Sequence, residues 1–357
     1  MKTDCIMRIK LLPILGTLCG FIWLGTRMAG AWDYEGHHII NRLALASLPA
    51  DFPSFALAPS QRERIAFLAG EPDRWRNSDE SALRHVNSPD HYIDLEELAL
   101  YGLTPETLPP LRYDFVARLA LCRAAHPEKF PQIDPDKNRD HTRQLVGFLP
   151  WTITEYYAKL KSEFSYLKAF QEAGGTPEEI ANAQANVIYT MGAMGHFVGD
   201  ATQPLHTTVH FNGWTGENPR HYTTDRAFHA WIDGGYIAKV NVEGDFDEMR
   251  QRLRAARVLA PNNHPVQPEE MFQTVVAFIG EQNKLVEPLY QLEKDHKLSG
   301  DDPLGMQGKP FIEGQLLKAG QMLGDIWYSA WQQAPVDGYL KRELEARHAS
   351  QTGGQKN

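Results

Sequence analysis

The sequence contains very little cysteine. Only Cys5, Cys19 and Cys122 occur in 357 residues, and the first two fall within residues 1–31. Those 31 residues have the features of a cleaved leader, so the remaining chain keeps Cys122 alone and can form no internal disulfide. An exported protein without disulfides needs other sources of stability, and bound metal ions can provide part of it.

An excess of positive charge is also missing. The formal net charge of the whole chain is −9 at pH 7. Because general attraction to phosphate backbones requires a basic surface, the overall charge excludes binding of polyanions by the surface as a whole. An anionic substrate would need local positive charge, which bound metal ions can supply.

The sequence lacks the patterns of a large sheet and of a nucleotide fold. No long stretch alternates apolar and polar residues with a period of two, and there is no Gly-rich phosphate loop, linker or internal repeat. We therefore predict an all-α fold, one compact multi-helix domain over residues 32–344. A small loop or hairpin is expected near 207–224, and a disordered tail over 345–357.

The N-terminus has the pattern of a secretory signal peptide. Lys2, Arg8 and Lys10 precede an apolar run over 11–25, and Ala29-Gly30-Ala31 follows as a cleavage site. The run is short for a membrane span, so an uncleaved anchor is the weaker alternative. We expect cleavage after Ala31 and a secreted or periplasmic protein. Residues 1–31 carry four Lys or Arg and one Asp, so the net charge would become −12.

Apolar periodicity, capping residues and prolines predict a series of helices in the rest of the chain. A capping box at Thr176-Pro-Glu-Glu179 opens one long helix among them. The expected helices cover 37–48, a stretch that begins at Ser60, the neighbourhood of 113–125, 151–173, a long helix from Thr176 that carries His196 and Asp200, one from Thr224 or Asp225 that carries His229 and Asp233, 269–295 and 311–333.

The most informative stretch runs from His196 to His206. His196 and Asp200 are four residues apart and share one face of a helix, and Pro204 ends that helix and turns His206 back. His229 and Asp233 repeat the four-residue spacing. Imidazole and carboxylate groups are zinc ligands, so the two pairs predict a zinc centre, whereas a single pair would equally fit a helix end with surface histidines.

Three further residues have the same chemistry and accompany the two pairs. They are His37, Asp73 and His91. His38 is an alternative to His37, and His85 is an alternative to His91. A nearly cysteine-free chain with this supply of nitrogen and oxygen ligands suits zinc.

These motifs resemble the zinc-dependent phospholipase C and type I nuclease superfamily, whose nucleases are secreted and specific for single strands. Trp32 to His37 matches the W-x4-H opening of the nucleases. His196, Asp200, Pro204 and His206 match the motif H-x3-D-x3-P-x-H, and the later H-x3-D falls at 229 and 233. The resemblance implies an all-helical fold with three zinc ions and an N-terminal Trp that ligates metal.

The resemblance also implies a ligand set for each ion. The first zinc would take Asp73, His91, His196 and Asp200. The second would take the amino and carbonyl groups of Trp32, together with His37 and a bridging Asp200. The third would take His206, His229, Asp233 and water.

The chemistry that the resemblance implies is hydrolysis of a phosphodiester. The paired zinc ions would lower the pKa of a shared water, and the resulting hydroxide would attack phosphorus. Asp73 would orient this water or act as its base, and Arg76 would stabilise phosphate charge, although a surface role is the alternative for Arg76. Tyr92 could stack on a base or pack internally, and Asn218 lies in a loop like that of the family's base pocket.

We therefore expect a nuclease that cleaves single-stranded RNA or DNA, with 3′-nucleotides as further substrates. The alternatives are a phospholipase C and, less favoured, a non-catalytic zinc-binding protein. No obligate protein partner is evident. The W-x4-H opening, Arg76, and Asp233 where the phospholipases carry Glu favour the nuclease. An enlarged insertion over about 95–175 departs from the fungal nucleases, and we expect helices there beside the cleft.

Overall fold

The computed structural model describes residues 32–259 and 268–353, so the predicted signal peptide lies outside the described residues. Within these ranges the chain forms helices and turns and no named strand, and the one β-like pairing is an isolated bridge between Ile93 and Gly147. The predicted all-α fold is confirmed. No helix in the described ranges has both the length and the apolar character needed to cross a membrane.

Fourteen α-helices are described, with a π-helical turn at Trp231–Gly235 and several short 3₁₀ turns between them. The α-helices are α1 (Tyr34–Ser47), α2 (Pro59–Leu68), α3 (Glu71–Arg76), α4 (Ser81–Asn87), α5 (Arg112–Ala125), α6 (Leu149–Glu172), α7 (Pro177–Asp200), α8 (Phe228–Ala230), α9 (Tyr236–Lys239), α10 (Phe246–Gln251), α11 (Pro268–Asn283), α12 (Val286–Lys294), α13 (Lys309–Gln333) and α14 (Gly338–Gly353).

Helix α7 lies at the centre of the molecule. Its predicted capping box is present, since the Thr176 hydroxyl accepts from the backbone of Glu179 and the Glu179 carboxylate accepts from the backbone of Thr176. The helix is buried without interruption from residue 190 to residue 200, and it packs against α6, α2, α13 and α1. A helix buried on all sides can bring polar side chains into the core from its last turns.

Small residues let α1 and α2 approach α7 closely. Asn41 of α1 is fully buried, and its side-chain amide donates to the carbonyls of Ile65 in α2 and Gly192 in α7. A Cβ atom at Gly195 would lie 1.7 Å from the side-chain oxygen of Asn41. The glycine therefore makes room for the polar contact that joins three helices.

Two helix boundaries differ from the sequence-based expectations. The expected helix over 269–295 is broken between α11 and α12, because Pro288 in the first turn of α12 cannot donate to the carbonyl of Lys284 and would clash with it. The helix that carries His229 begins at Phe228 rather than at Thr224 or Asp225. Of the loop or hairpin expected near 207–224, the structure shows a loop, closed by a bond from Trp214 N–H to the Thr223 carbonyl.

The expected disordered tail is wrong for residues 345–353, which belong to α14. Arg347 forms a bidentate ion pair with Glu179 at the start of α7, with N–O distances of 2.8 and 3.0 Å. This contact holds the last helix against the body of the protein. Residues 354–357 lie outside the described ranges.

The region expected as an insertion, 95–175, contains both peripheral and central elements. Helix α5 lies at the side of the molecule, where Tyr113 and Leu121 are exposed. Helix α6 instead packs along α7 and against α13. The second half of the region thus contributes a helix to the core around α7.

The packing at Gly195 gives a testable prediction. Replacing Gly195 with Ala should lower the free energy of unfolding by about 2–3 kcal/mol, because the added methyl group must displace the Asn41 side chain. Gly280→Ala in α11 is the control. A Cβ there meets nothing within 4 Å, so that variant should gain about 0.5–1 kcal/mol from helix propensity. Urea unfolding measures both, and equal stability of the two variants would contradict the packing argument.

Candidate metal centre

The last turn of α7 brings His196 and Asp200 together with residues from three other segments. The side chains that join them are His37 of α1, Asp73 of α3 and His91 of the short turn after α4. One ligand atom from each of His37, His196 and Asp200 lies within 4.8 Å of the others, and the same holds for Asp73, His91 and His196. The two groups share His196 and therefore form one continuous cluster.

The Asp200 carboxylate is arranged as a bridge within this cluster. Its Oδ1 lies 3.4 Å from His37 Nε2, and its Oδ2 lies 3.0 Å from His91 Nδ1. His196 Nε2 is also 3.4 Å from Oδ2. Because the two oxygens face different imidazoles, this one carboxylate could contact two metal ions.

Asp73 and Arg76 form the edge of the cluster. Asp73 Oδ1 lies 3.7 Å from His196 Nε2 and 2.7 Å from Arg76 Nε. The side chains of Asp73 and Arg76 are 19% and 15% exposed, whereas those of His196 and Asp200 are completely buried. Solvent therefore reaches the cluster on the side of α3.

A second cluster joins His206, His229 and Asp233. His206 Nε2 lies 3.0 Å from His229 Nε2, which in turn lies 3.0 Å from Asp233 Oδ2. The π-helical turn at Trp231–Gly235 directly follows α8, which carries His229, and itself carries Asp233. Wide turns of this kind occur frequently at functional sites.

The hydrogen bonds of the imidazoles fit metal ligation. His196 Nδ1 lies 2.8 Å from the Ala69 carbonyl, and His206 Nδ1 lies 2.6 Å from the His91 carbonyl. A carbonyl can only accept, so each Nδ1 carries the proton and each Nε2 of a neutral ring offers a lone pair to its cluster. A carbonyl behind the ring is the usual support of a zinc-binding histidine.

Burial sets the charge state of these groups. It lowers the pKa of His196 to about 3 and moves the pKa values of His91 and His206 well below their ordinary value. The rings are thus neutral at pH 7, as metal ligation requires. Burial also raises the pKa values of Asp200 and Asp233. A divalent cation beside them would favour their ionised form, so the donor set fits a cation such as zinc.

The segment that starts at Trp32 is attached to both clusters. Trp32 is fully buried, and its indole N–H donates to the carbonyl of Gly199 over 3.0 Å. The next N–H, that of Asp33, donates to the Asp233 carbonyl over 2.8 Å. The position of Trp32 is compatible with metal ligation by its amino and carbonyl groups, and this ligation stays a prediction.

The two alternative histidines lie away from the clusters. His38 is half-buried and faces Tyr34, with 5.8 Å between ring centroids. His85 Nδ1 lies 2.7 Å from the Asp140 carbonyl on the surface. Of each pair of candidates, the structure therefore brings His37 and His91 into the metal-ligating groups.

The two residues proposed to contact a base use their polar groups inside the protein. The Tyr92 hydroxyl points to the Leu145 carbonyl at 3.4 Å, and burial raises its pKa. Asn218 donates to the carbonyl of Tyr222 and accepts from its N–H, both over 2.8 Å. Asn218 thus stabilises its own loop, and the Tyr92 hydroxyl also has its partner inside the protein.

Arg112 is a supporting residue that sequence analysis did not single out. Its guanidinium donates to Asp90 over 2.6 Å, to both oxygens of Glu155 over 2.8 Å and to the Thr152 hydroxyl over 3.0 Å. Asp90 directly precedes His91, so the network connects α5 and α6 to a ligand. The partners lie 22 to 43 residues away, and no local pattern predicts them.

Comparisons with known proteins add little about function. No family model matches the sequence, and no curated protein gives a significant match. Among solved structures, the chain is similar to an alpha toxin from Clostridium absonum and to the Clostridium perfringens alpha-toxin from avian strain SWCP. Both align with 12% identity and a TM-score of 0.40, covering 85% of this chain and 67% and 66% of the toxins. At this level, function has to be inferred from the side chains of the chain itself.

The network around Arg112 predicts a loss of stability on mutation. Arg112→Gln should lower the free energy of unfolding by about 2–4 kcal/mol, because it leaves the largely buried Asp90 carboxylate without its cationic partner. Arg123→Gln on the same helix is the control. Arg123 donates to the Tyr101 hydroxyl, so its loss should cost about 1 kcal/mol. Similar losses in both variants, measured by urea unfolding, would count against a special role of the network.

Proposed function

We propose that this protein is a zinc-dependent hydrolase of phosphoric ester bonds. The observation that carries the proposal is the meeting of eight imidazole and carboxylate side chains, from separate segments, in three metal-ligating groups. A structural zinc site is closed by four protein ligands, whereas a catalytic site keeps one position open to water or substrate. Here Asp73 and Arg76 border the larger cluster and are partly open to solvent, which favours a catalytic centre.

We propose the following ligands for three zinc ions. Asp73, His91, His196 and Asp200 hold the first ion, and Asp200, His37 and Trp32 hold the second. His206, His229 and Asp233 hold the third. Zinc, when bound, supplies Lewis acidity, which makes water a stronger acid and neutralises negative charge on a phosphate group.

Asp73 and Arg76 are the two residues proposed to act on the substrate side. The Asp73 carboxylate can orient a water and accept its proton, since it lies at the boundary between the ligands and solvent. The Arg76 guanidinium can donate to a non-bridging phosphate oxygen while its Nε remains paired with Asp73. Such donors favour the transition state, in which charge on these oxygens is redistributed.

Among substrates we favour phospholipid head groups. Tyr92 and Asn218 are occupied by internal contacts, and the strongly acidic chain is a poor general binder of nucleic acids. Exposed apolar side chains flank the elements around His91 and Arg112. They are Leu83, Val86, Leu111 and Tyr113. A phospholipid, whose acyl chains are apolar, suits this apolar surface better than a polynucleotide does.

Cleavage of single-stranded nucleic acid is the second candidate. The W-x4-H opening at Trp32 and the carboxylate of Asp233 favour it, as does Arg76. Either substrate would be met outside the cytoplasm, because we propose that residues 1–31 direct the protein to the periplasm or the medium.

The substrate is tested with purified protein that starts at Trp32. Phosphatidylcholine in mixed micelles and a single-stranded DNA oligonucleotide should be offered separately, and release of phosphorylated head group or of shorter fragments measured. We expect hydrolysis of the lipid, its loss with a zinc chelator and its return with zinc. Cleavage of DNA alone would overturn the lipid preference, and no cleavage of either substrate by the zinc-loaded protein would support the non-catalytic alternative.

The role of Arg76 is tested by comparing two arginines of α3. Arg76→Gln should lower kcat by about 10²- to 10³-fold, as expected for the loss of a donor to transition-state charge. Arg74→Gln is the matched control, because Arg74 is 45% exposed and pairs with Glu71 away from the ligands. It should retain activity within about threefold. Equal kcat values for the two variants would exclude Arg76 from the reaction.

A further inference from the structure

Gln203 lies beside the smaller cluster, which consists of His206, His229 and Asp233. It is the last of the three residues that separate Asp200 from Pro204. Its side chain is fully buried. Buried amides are costly unless both ends form hydrogen bonds. The partners of Gln203 show what such a residue does at this place.

Both ends of the Gln203 amide are used. Its Oε1 accepts from the backbone N–H of Leu205 over 2.9 Å, and its Nε2 donates to Asp233 Oδ1 over 2.5 Å. The N–H of Leu205 can only donate, so the oxygen must face it and the NH₂ group must face the carboxylate. A glutamate or a methionine could not make both bonds in this way.

The two bonds reach two different ligands of the cluster. Leu205 belongs to the turn Pro204–Thr207, which carries His206, and the backbone carbonyl of Gln203 also accepts from His206 N–H over 2.9 Å. Asp233 belongs to a segment 30 residues further along the chain. With Oδ1 engaged by Gln203, Asp233 Oδ2 faces His229 Nε2 at 3.0 Å.

We propose that Gln203 is a positioning residue for the third metal ion. This proposal rests on the zinc sites of the proposed function. Its amide caps the turn that carries His206 and fixes the carboxylate of Asp233, so that one side chain sets the spacing between ligands from two segments. The Gln203 backbone N–H donates to the Asp200 carbonyl over 3.0 Å, but the hydrogen bonds of its side chain go to Leu205 and Asp233. Loss of the side-chain amide is therefore expected to affect the third ion.

The test measures zinc affinity in the absence of any substrate. Gln203→Met removes both hydrogen bonds at similar side-chain length. Gln282→Met is the matched control, since Gln282 is a buried amide that bonds to the Phe278 carbonyl and to Gln315 and touches no ligand. Zinc is titrated against a chromophoric chelator, and bound metal is counted by elemental analysis.

We expect Gln203→Met to bind one of three zinc ions about 10- to 100-fold more weakly, the usual effect of losing a residue that supports a ligand. The other two ions should bind as before, and Gln282→Met should keep all three affinities although it also loses stability. In a His206→Ala background, which already lacks the third site, Gln203→Met should cause no further change. Should Gln203→Met fail to fold, Gln203→Asn keeps the amide but withdraws it from both partners, with the same expectation.

Three results would overturn the proposal. They are unchanged affinity for all three ions in the folded variant, an equal loss in Gln282→Met, and a loss at the two other ions. If the unmodified protein bound no zinc, the metal assignment itself would fail and this proposal with it. An inactive protein that still binds three zinc ions would sink only the proposed function.

Discussion

The fully buried carboxylate of Asp200 is the group on which the architecture depends. A carboxylate removed from water is expensive unless opposite charge or hydrogen bonds compensate it. Its two oxygens face three imidazoles; burial raises its pKa, and the charge of Arg76 lowers it. A bound divalent cation would compensate this burial. Burial of these polar groups therefore costs free energy, and the same groups are the ligands that a metal ion needs.

The helices around Asp200 are shaped to permit this arrangement. A Cβ atom at Gly199 would lie 2.8 Å from His37 Nδ1, so a larger residue would push the imidazole away. The opposite end of α7 begins with a capping box and is tied to α14 through Glu179 and Arg347. The long helix is thus fixed at both ends, and its last turn presents His196 and Asp200 from a rigid element rather than from a loop.

Backbone contacts join the two clusters into one unit. The His206 ring is held by the carbonyl of His91, and the carbonyl of His206 accepts from Ile93 N–H over 2.9 Å. The Asp33 N–H holds the Asp233 carbonyl. Ligands of one cluster are therefore supported by neighbours of the other.

The sequence predicted the parts of the centre that depend on local spacing. His196–Asp200 and His229–Asp233 could be recognised because four residues make one helical turn. The break before α12 was also visible in principle, since Pro288 is a local constraint. The supporting contacts could not be predicted, because Arg112 acts over 22 to 43 residues and the tie between Arg347 and Glu179 spans 168. Their partners are determined by how the helices pack.

The gradient of exposure across the centre indicates where a substrate enters. His37, His196 and Asp200 are closed off from solvent, whereas Asp73 and Arg76 at one edge are partly open. At the other edge His229 is slightly exposed, and the accessible ring of Phe211 lies 6.3 Å from it. A phosphate group placed between these edges would meet both clusters at once. In a chain of net negative charge, Arg76 and the proposed metal ions would supply local positive potential that attracts it. In the proposed function, substrate binding and metal loading would therefore be coupled by charge as well as by geometry.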